Sequence, residues 1–186
     1  MRNLLFLLPF LFVACDTTPT VGGLRTPPPA VVAPEADWEG VKRVAVVPPA
    51  NWTTDIRLQY TNWFRGVIAA YLSPKGWTFV PQVVVNRSMS EWKFTMAGEL
   101  TLFTAKEMSD KWECDAILFW DIREAGYGAT KLSFVFIKAD GTMLWATGER
   151  SFVPMYNIID PSNIPSKVRI IGMGIGDSLR DFPVCK

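Results

Sequence analysis

The stretch Val41-Lys42-Arg43-Val44-Ala45-Val46-Val47 predicts the first β-strand, and the Pro48-Pro49 pair ends it because proline donates no hydrogen bond to a sheet. Downstream, apolar side chains recur at helical spacing and predict a helix over 55–72, with Thr54 as its N-cap. Trp77-Thr78-Phe79-Val80 predicts a second strand. The order strand, helix, strand is typical of a parallel crossover pair and indicates an α/β fold.

The following segments continue this alternation of helices and strands. Residues 83–92 are ambiguous and compatible with a short helix. Thr104-Ala105-Lys106-Glu107 forms a capping box, which predicts a helix over 105–112 with Thr104 as its N-cap. The apolar run 116–120 then predicts a buried strand.

The last part of the chain carries a hairpin and a helix. Asp140-Gly141 predicts a turn between two strands over 131–139 and 142–152, and the first strand is apolar on both faces, which favours a central position. Residues from Pro154 to about Asn163 are predicted to form a loop, and the helical spacing of Val168, Ile171, Ile175 and Leu179 then predicts a C-terminal helix. The glycines within it, Gly172, Gly174 and Gly176, favour close packing against a neighbour over a nucleotide-binding loop, because such a loop must follow a strand.

The predicted fold class is therefore α/β, in a single domain. Its mixed sheet has about five strands in β-α-β-α-β-β-β order, with a C-terminal helix. Most of the eight tryptophans, among them Trp63, Trp120 and Trp145, lie in periodic segments and are predicted to be core residues.

The N-terminus has the features of a secretory signal peptide over residues 1–14. Arg2 precedes an apolar run of about 11 residues, too short to span a hydrocarbon core that needs roughly 20. The run ends in Phe12-Val13-Ala14-Cys15, which is similar to a bacterial lipobox, so Cys15 is predicted to be the lipidated first residue of the mature chain. The alternative is an ordinary signal peptide with a chance cysteine at the cleavage site.

Residues 15–37 are predicted to form a lipidated, proline-rich tether, and residues 38–186 are predicted to form the folded domain. The tether contains five prolines and almost no charge, so it is predicted to be extended and to reach on the order of 60 Å. This arrangement predicts a body held on a membrane through its N-terminal lipid.

Composition excludes several function classes. Loss of residues 1–14 leaves 18 cationic and 18 acidic side chains, so no excess positive charge is available for nucleic acid. The absence of histidine excludes Ser-His-Asp and Cys-His chemistry and removes the commonest metal ligand, and no cofactor or metal is predicted. Asp115 and Asp121 bracket the buried strand at positions typical of catalytic carboxylates, but no nucleophile accompanies them.

Cys114 and Cys185 are the two cysteines that remain beside Cys15. An exported chain folds where disulfides persist, so we expect these two residues to form one. The alternative is a buried thiol at Cys114 and a frayed chain end at Cys185.

The strand order and several motifs resemble small Gram-negative lipoproteins with a TolB amino-terminal-like domain. The motifs are Val46-Val47-Pro48-Pro49 with Asn51, Thr54-Asp55, Glu113-Cys114-Asp115-Ala116 and the hairpin segment 138–145. The resemblance covers about residues 41–150 and is strongest to the family of a meningococcal surface lipoprotein antigen. CsgG, the curli secretion lipoprotein, and LpoB, an activator of a peptidoglycan synthase, are more distant. Cys114 departs from the small residue usual at its position.

The resemblance implies a protein that acts by binding, as an accessory module in the assembly, secretion or regulation of a cell-envelope complex. Alternatives are a docking activator of a peptidoglycan synthase and an envelope enzyme that uses carboxylate or lysine chemistry. Asn51 and Trp52 are the candidate contacts with envelope proteins. Trp38, also in a loop, is either such an anchor or folded onto its own core, and formation of a homo-oligomer is left open.

The same reasoning predicts a location on the periplasmic side of the cell envelope. The resemblance favours the outer membrane. Asp16, directly after the lipidated cysteine, favours the inner membrane in enteric bacteria.

Substitution Cys15→Ser tests the lipid anchor. We expect the variant to lose lipid labelling and processing at this site, because a hydroxyl cannot replace the thiol that carries the diacyl group. The measurement is metabolic labelling with a fatty acid, followed by membrane fractionation. Normal cleavage and membrane retention of the variant would contradict the prediction.

Overall fold

The computed structural model describes residues 30–33, 36–49, 58–91, 102–126, 129–152 and 164–185. Across these ranges the chain forms seven strands and four α-helices, in the order β1 Val31–Val32, β2 Arg43–Val46, α1 Leu58–Leu72, β3 Thr78–Phe79, α2 Gln82–Glu91, α3 Leu102–Trp112, β4 Ala116–Gly126, β5 Ala129–Lys138, β6 Met143–Ala146, β7 Arg150–Phe152 and α4 Ile164–Ser178. The predicted single α/β domain with a C-terminal helix is confirmed.

The strands form one mixed sheet in the order β1-β6-β5-β4-β2-β3, and β7 also pairs with β5. Strand β2 lies between β3 and β4 and is parallel to both, whereas the other pairings are antiparallel. The predicted parallel crossover from β2 through α1 to β3 is therefore confirmed. Strand β5 lies inside the sheet, as its apolar side chains on both faces predicted.

The two faces of the sheet bury separate hydrophobic clusters. Alternate side chains of β2 and β4 point to opposite faces, as the period of a strand requires. One cluster packs α1 and α4 against β2, β4 and β5, through residues such as Phe64, Ile171 and Leu118. The other packs α2 and α3 against the opposite face, through Val85 and Trp112. The fold is thus three-layered, with the sheet between two helical layers.

The hairpin between β5 and β6 forms at the predicted position. Gly141 has φ +90°, a conformation that favours glycine. The turn is closed by bonds from the Lys138 amide to the Thr142 carbonyl (2.8 Å) and from the Thr142 amide to Asp140 Oδ1 (2.8 Å). The second arm differs from the prediction, since it is split into β6 and β7. At the break, Thr147 Oγ1 accepts a bond from the Phe134 amide at 2.9 Å and replaces the regular ladder.

Two predicted boundaries are wrong. Helix α3 begins at Leu102, so Thr104 lies inside the helix and not at its N-cap. Leucine is a stronger helix former than threonine, so the capping preference of Thr104 does not decide where the helix begins. Strand β4 continues to Gly126, beyond the predicted end at residue 120, because β5 pairs with it along its whole length despite a register shift between Ile122 and Glu124.

Part of the predicted tether is attached to the sheet. Val31 and Val32 pair with Ala146 and Trp145 of β6. Asp37 forms an ion pair with Lys138 of β5, with 3.0 Å between the oxygen and Nζ. These contacts bring the chain onto the edge of the sheet before β2 begins.

The chain end is held by the segment that follows α1. Lys75 Nζ donates hydrogen bonds to the carbonyls of Leu179 (3.2 Å), Arg180 (2.8 Å) and Phe182 (2.5 Å). Trp77 Nε1 donates to the Pro183 carbonyl at 3.0 Å. A cation at the C-terminus of a helix also complements the helix dipole. Lys75 therefore holds the turn that follows α4.

Substitution Gly174→Ala tests the close packing predicted for α4. An added Cβ would lie 2.6 Å from Thr130 Cγ2 and 3.1 Å from Leu132 Cδ1, so the free energy of unfolding should fall by about 1–3 kcal/mol through overpacking. The matched control is Gly66→Ala in α1, where a Cβ meets nothing within 4 Å and helix propensity should add about 0.5–1 kcal/mol. Urea unfolding measures both, and equal stabilisation by the two substitutions would contradict the packing.

Candidate partner-binding surface

Helices α1 and α4 enclose an open groove on the outer side of their layer. Its volume is about 460 Å³. The residues that line it come from both helices and are mainly apolar: Tyr60, Trp63, Val67, Tyr71, Val168, Arg169, Gly172 and Met173. We call it the α1–α4 groove.

The groove arises because α1 carries more apolar surface than the sheet can cover. Phe64, Ile68 and Leu72 face the sheet and are fully buried. A second stripe at helical spacing, from Tyr60 to Tyr71, faces α4. Since α4 covers this stripe only in part, its outer edge remains in solvent.

Two glycines of α4 let the aromatic rings of α1 lie directly on the helix backbone. A Cβ at Gly172 would lie 2.9 Å from Trp63 Cη2, and one at Gly176 would overlap the Tyr71 ring. Trp63 also contacts Phe64 edge to face, with ring centroids 5.4 Å apart. These contacts fix both rings in place from below and leave their outer faces open.

The exposed part of the groove is large and apolar. Trp63 is 48% exposed, Tyr71 47% and Met173 42%. Among the described residues, Arg169 is the one charged side chain that lines the groove, and no described acidic side chain does. The groove thus combines apolar surface with one positive charge.

The prediction that Trp63 is a core residue is therefore wrong. Sequence periodicity merged Trp63 with Phe64 and Ile68 into one stripe, although the structure divides these residues between two faces of α1. The apolar side chains of α1 cover a wide arc of the helix, and this width could have indicated that they do not all face the sheet. The predictions for Trp120 and Trp145, which are 2% and 0% exposed, are confirmed.

Asn51 and Trp52 are the partner contacts that the sequence predicted, with Trp38 as a further candidate, and Cys15 is the predicted lipidation site. Cys15, Asn51 and Trp52 lie outside the described residues. Trp38 packs on the core, stacked on Phe136 with ring centroids 5.6 Å apart and edge to face with Trp77 at 5.9 Å. Trp38 therefore agrees with the alternative prediction, in which a tryptophan in a loop packs onto the core of its own domain.

The two strand-end carboxylates are not brought together. Asp115 Oδ2 accepts bonds from the amides of Lys42 (2.9 Å) and Arg43 (2.8 Å), and so holds the start of β2 next to β4. Asp121 lies within β4, opposite Ser133. Six residues of extended chain separate them by about 20 Å, too far for shared acid–base chemistry. Among the described residues, no group of three or more potential ligands could hold a metal ion.

Cys114 and Cys185 are not joined by a disulfide, so the predicted pairing is wrong. Cys114 belongs to the cluster on the α2–α3 face, whereas Cys185 packs against the cluster on the α1–α4 face. The sheet separates them. Burial raises the pKa of the Cys114 thiol. This matches the alternative of a buried thiol at Cys114, while the Cys185 amide is bonded to the Lys75 carbonyl at 2.8 Å.

None of the described helices combines the length and the apolar character needed to cross a bilayer.

No protein-family model and no curated protein matches the chain. Among solved structures, the lipoprotein GNA1162 from Neisseria meningitidis is 20% identical, with a TM-score of 0.50 over 75% of this chain and 99% of that one. The PelC dodecamer from Paraburkholderia phytofirmans is 16% identical, with a TM-score of 0.47 over 81% and 94%. The LpoB C-terminal domain from Salmonella enterica is 16% identical, with a TM-score of 0.43 over 62% and 87%.

The likeness to the meningococcal lipoprotein establishes a shared fold and nothing further at this identity. The likenesses to PelC and to the LpoB domain have TM-scores below 0.5 and do not establish a shared fold. The predicted resemblance is therefore confirmed for the meningococcal lipoprotein, and only at the level of the fold. The TolB-like assignment and the relation to CsgG stay predictions.

Alkylation of the native protein tests the state of the cysteines. We expect Cys185 to react without prior reduction and Cys114 to react only after unfolding, because burial and a raised pKa keep Cys114 as an inaccessible thiol. Iodoacetamide labelling followed by peptide mass spectrometry measures both, and Cys185→Ser is the control that should abolish native labelling of the folded domain. Resistance of both residues until a reductant is added would contradict the result.

Proposed function

We propose that this chain is a lipid-anchored cell-envelope protein that binds a protein partner through the α1–α4 groove and carries out no catalysis. Its role is that of an accessory module in the assembly, secretion or regulation of an envelope complex. The single observation that carries the proposal is the pair of half-exposed aromatic rings, Trp63 and Tyr71, which lie about two turns apart on the same stripe of α1. The lipobox-like sequence at Cys15 and the fold shared with a meningococcal lipoprotein support the envelope location.

The composition of the groove suits a protein interface. Aromatic residues, methionine and arginine are enriched in the centres of such interfaces, and aromatic anchors dominate their binding energy. Trp63, Tyr71, Met173 and Arg169 supply these residue types from two adjacent helices. Removal of their exposed apolar surface from water is favourable by about 25 cal/mol for each Å².

The groove is also preorganised. Gly172 and Gly176 support the two rings from below, so a partner does not have to order them on binding. Surfaces on helices hold side chains more accurately than surfaces on loops. The lining implies the chemistry of the partner, which is an apolar segment with an acidic group placed to meet Arg169.

Two polar groups among the described residues that could take part in catalysis, Asp115 and Lys75, have structural tasks, and this supports binding over catalysis. The Asp115 carboxylate joins two strands, and the Lys75 ammonium group holds the turn that follows α4. A carboxylate or lysine mechanism would need such groups at the surface of a cleft.

The location we propose is the periplasmic side of the envelope, with the outer membrane favoured over the inner. The tether supports this location, because a body held tens of ångströms from a bilayer can reach partners across the periplasmic space.

Photo-crosslinking in intact cells tests the groove. A photoreactive phenylalanine analogue at position 63 should give crosslinked species that the same analogue at Val83 does not give. Val83 is the matched control because it is an exposed apolar residue, 72% exposed, on the other helical layer. Substitutions Trp63→Ala and Tyr71→Ala should each lower recovery of the same partner about tenfold or more, as for hot-spot residues.

Thermal unfolding of the variants separates lost binding from lost folding. Equal crosslinking from positions 63 and 83 would refute the proposal that the groove binds a partner. Full recovery of the partner by both alanine variants would refute it as well. A crosslinked species with the mass of two copies of the chain would identify the partner as a second copy.

A further inference from the structure

The polar side-chain groups of the α1–α4 groove are hydrogen-bond donors. The Arg169 guanidinium group and the Trp63 indole carry N–H groups and no acceptor. The hydroxyls of Tyr60 and Tyr71 can donate as well as accept. No carboxylate or amide side chain among the described residues lines the groove. The groove therefore suits a partner that presents many acceptors and few donors.

The contact between Trp63 and α4 does not use the indole N–H group. A Cβ at Gly172 would lie 2.9 Å from Cη2 and 3.2 Å from Cζ3 of Trp63, and both atoms belong to the six-membered ring. Nε1 belongs to the five-membered ring, which carries the only polar atom of this side chain. The apolar edge of the half-exposed ring is thus fixed on α4, and the N–H group is left to other partners.

A proline-rich segment is a partner of this kind. Proline has no backbone N–H group, and a polyproline II helix forms no internal hydrogen bonds, so its carbonyl groups remain available as acceptors. An α-helix has already paired most of its carbonyl groups, and an extended strand of other residues brings one N–H donor for each carbonyl. Of these three backbone conformations, polyproline II is the one that complements the donors of the groove.

The aromatic rings of the groove also suit such a segment. Trp63 and Tyr71 are about 12 Å apart along the axis of α1, at a rise of about 1.5 Å per residue. Polyproline II rises about 3.1 Å per residue, so about five residues span both rings. Proline-rich segments dock in aromatic-lined grooves at a low entropic cost, because the segment is ordered before it binds. Gly172 and Gly176 order the two rings in the same way.

Arg169 adds a preference for an acidic residue beside the prolines. It is exposed, and no described acidic side chain of the groove competes for it. Its guanidinium group can bind a carboxylate through two parallel N–H bonds. The tether of this chain does not fit this charge, because Arg25 stands close before Pro27-Pro28-Pro29 and the nearest preceding acidic residue is Asp16. The charge pattern therefore favours a segment of another protein over the tether of this chain or of a second copy.

We propose that the α1–α4 groove binds a proline-rich segment of another envelope protein, in the polyproline II conformation and with an acidic residue beside the prolines. This identity of the partner rests on the proposed function, in which the groove is the partner-binding surface. Prolines of the segment stack on the rings of Trp63 and Tyr71. A carbonyl group of the segment accepts a hydrogen bond from Trp63 Nε1, and the acidic side chain pairs with Arg169.

Peptide titration of the full-length lipoprotein in detergent tests this identity. The probe is a labelled peptide with a run of prolines long enough to span both rings and a glutamate at each end, and fluorescence anisotropy measures its Kd. A peptide with alanines in place of the prolines should bind about tenfold more weakly or worse, because it is not ordered in advance and brings N–H donors. A peptide with glutamines in place of the glutamates should bind about two- to fivefold more weakly, as for an exposed ion pair.

Variants at exposed positions separate the contacts of the groove. Trp63→Phe keeps an aromatic ring but loses the N–H group, so the proline peptide should bind about two- to tenfold more weakly. Arg169→Gln should weaken binding of the glutamate peptide and leave binding of the glutamine peptide unchanged. Val83→Ala, on the other helical layer, is the control and should bind like the wild type.

The outcomes distinguish this identity from the role of the groove itself. Crosslinking from position 63 in cells, without binding of the proline peptide at millimolar concentration, would overturn the proline-rich partner and leave the partner-binding role intact. Equal binding of the alanine peptide, or unchanged binding by folded Trp63→Phe and Arg169→Gln, would also overturn it. A peptide of residues 16–29 that binds as tightly as the glutamate peptide would overturn the assignment to another protein. Absence of both crosslinking and peptide binding would refute the proposed function as well.

Discussion

Strands β4 and β5 carry apolar side chains on both faces, and this constraint determines the rest of the fold. A sheet of this kind cannot leave either face in water, so helices must cover both. Leu118 and Phe134 belong to the cluster under α1 and α4, while Ile117 and Phe119 belong to the cluster under α2 and α3. The separation of Cys114 from Cys185 follows directly, because each cysteine packs on a different side of the sheet.

The same constraint explains where partner-binding surface is left over. Helix α1 must present one stripe to the sheet and a second to α4. The sheet covers the first stripe completely, but α4 is a single helix interrupted by small residues and covers the second only in part. Aromatic surface on α1 is therefore exposed because the sheet covers one apolar stripe of this helix and α4 covers the other only in part.

The sequence predicted those elements whose pattern is local. The strand ended by Pro48-Pro49, the Asp140-Gly141 turn and the glycine-containing helix α4 all formed as expected, since each depends on neighbouring residues. Pairing over long distances was not predictable in this way. Strand β1 is two residues of the predicted tether and forms only because the edge of β6 is available. The extension of β4 to Gly126 depends in the same manner on β5.

The candidate sites were less predictable than the fold. Whether Trp63 is buried depends on how far α4 extends over it, which residue spacing on α1 does not report. Arg169 stands in the predicted C-terminal helix with nothing to distinguish it from any other surface arginine. Its place in the groove becomes evident only when α4 is placed beside α1. Asp115, by contrast, has a position typical of a catalytic carboxylate but joins β2 to β4.

The attachment of β1 to the sheet has a mechanical consequence. Among the described residues, the pairing of Val31 and Val32 with β6 is the first attachment to the sheet that tension applied from the N-terminal side meets. Two residue pairs at a sheet edge give way at much lower force than the extended β4–β5 pairing. Under load this short strand peels off first, and each released residue adds about 3.3 Å of reach while the three-layered core stays folded.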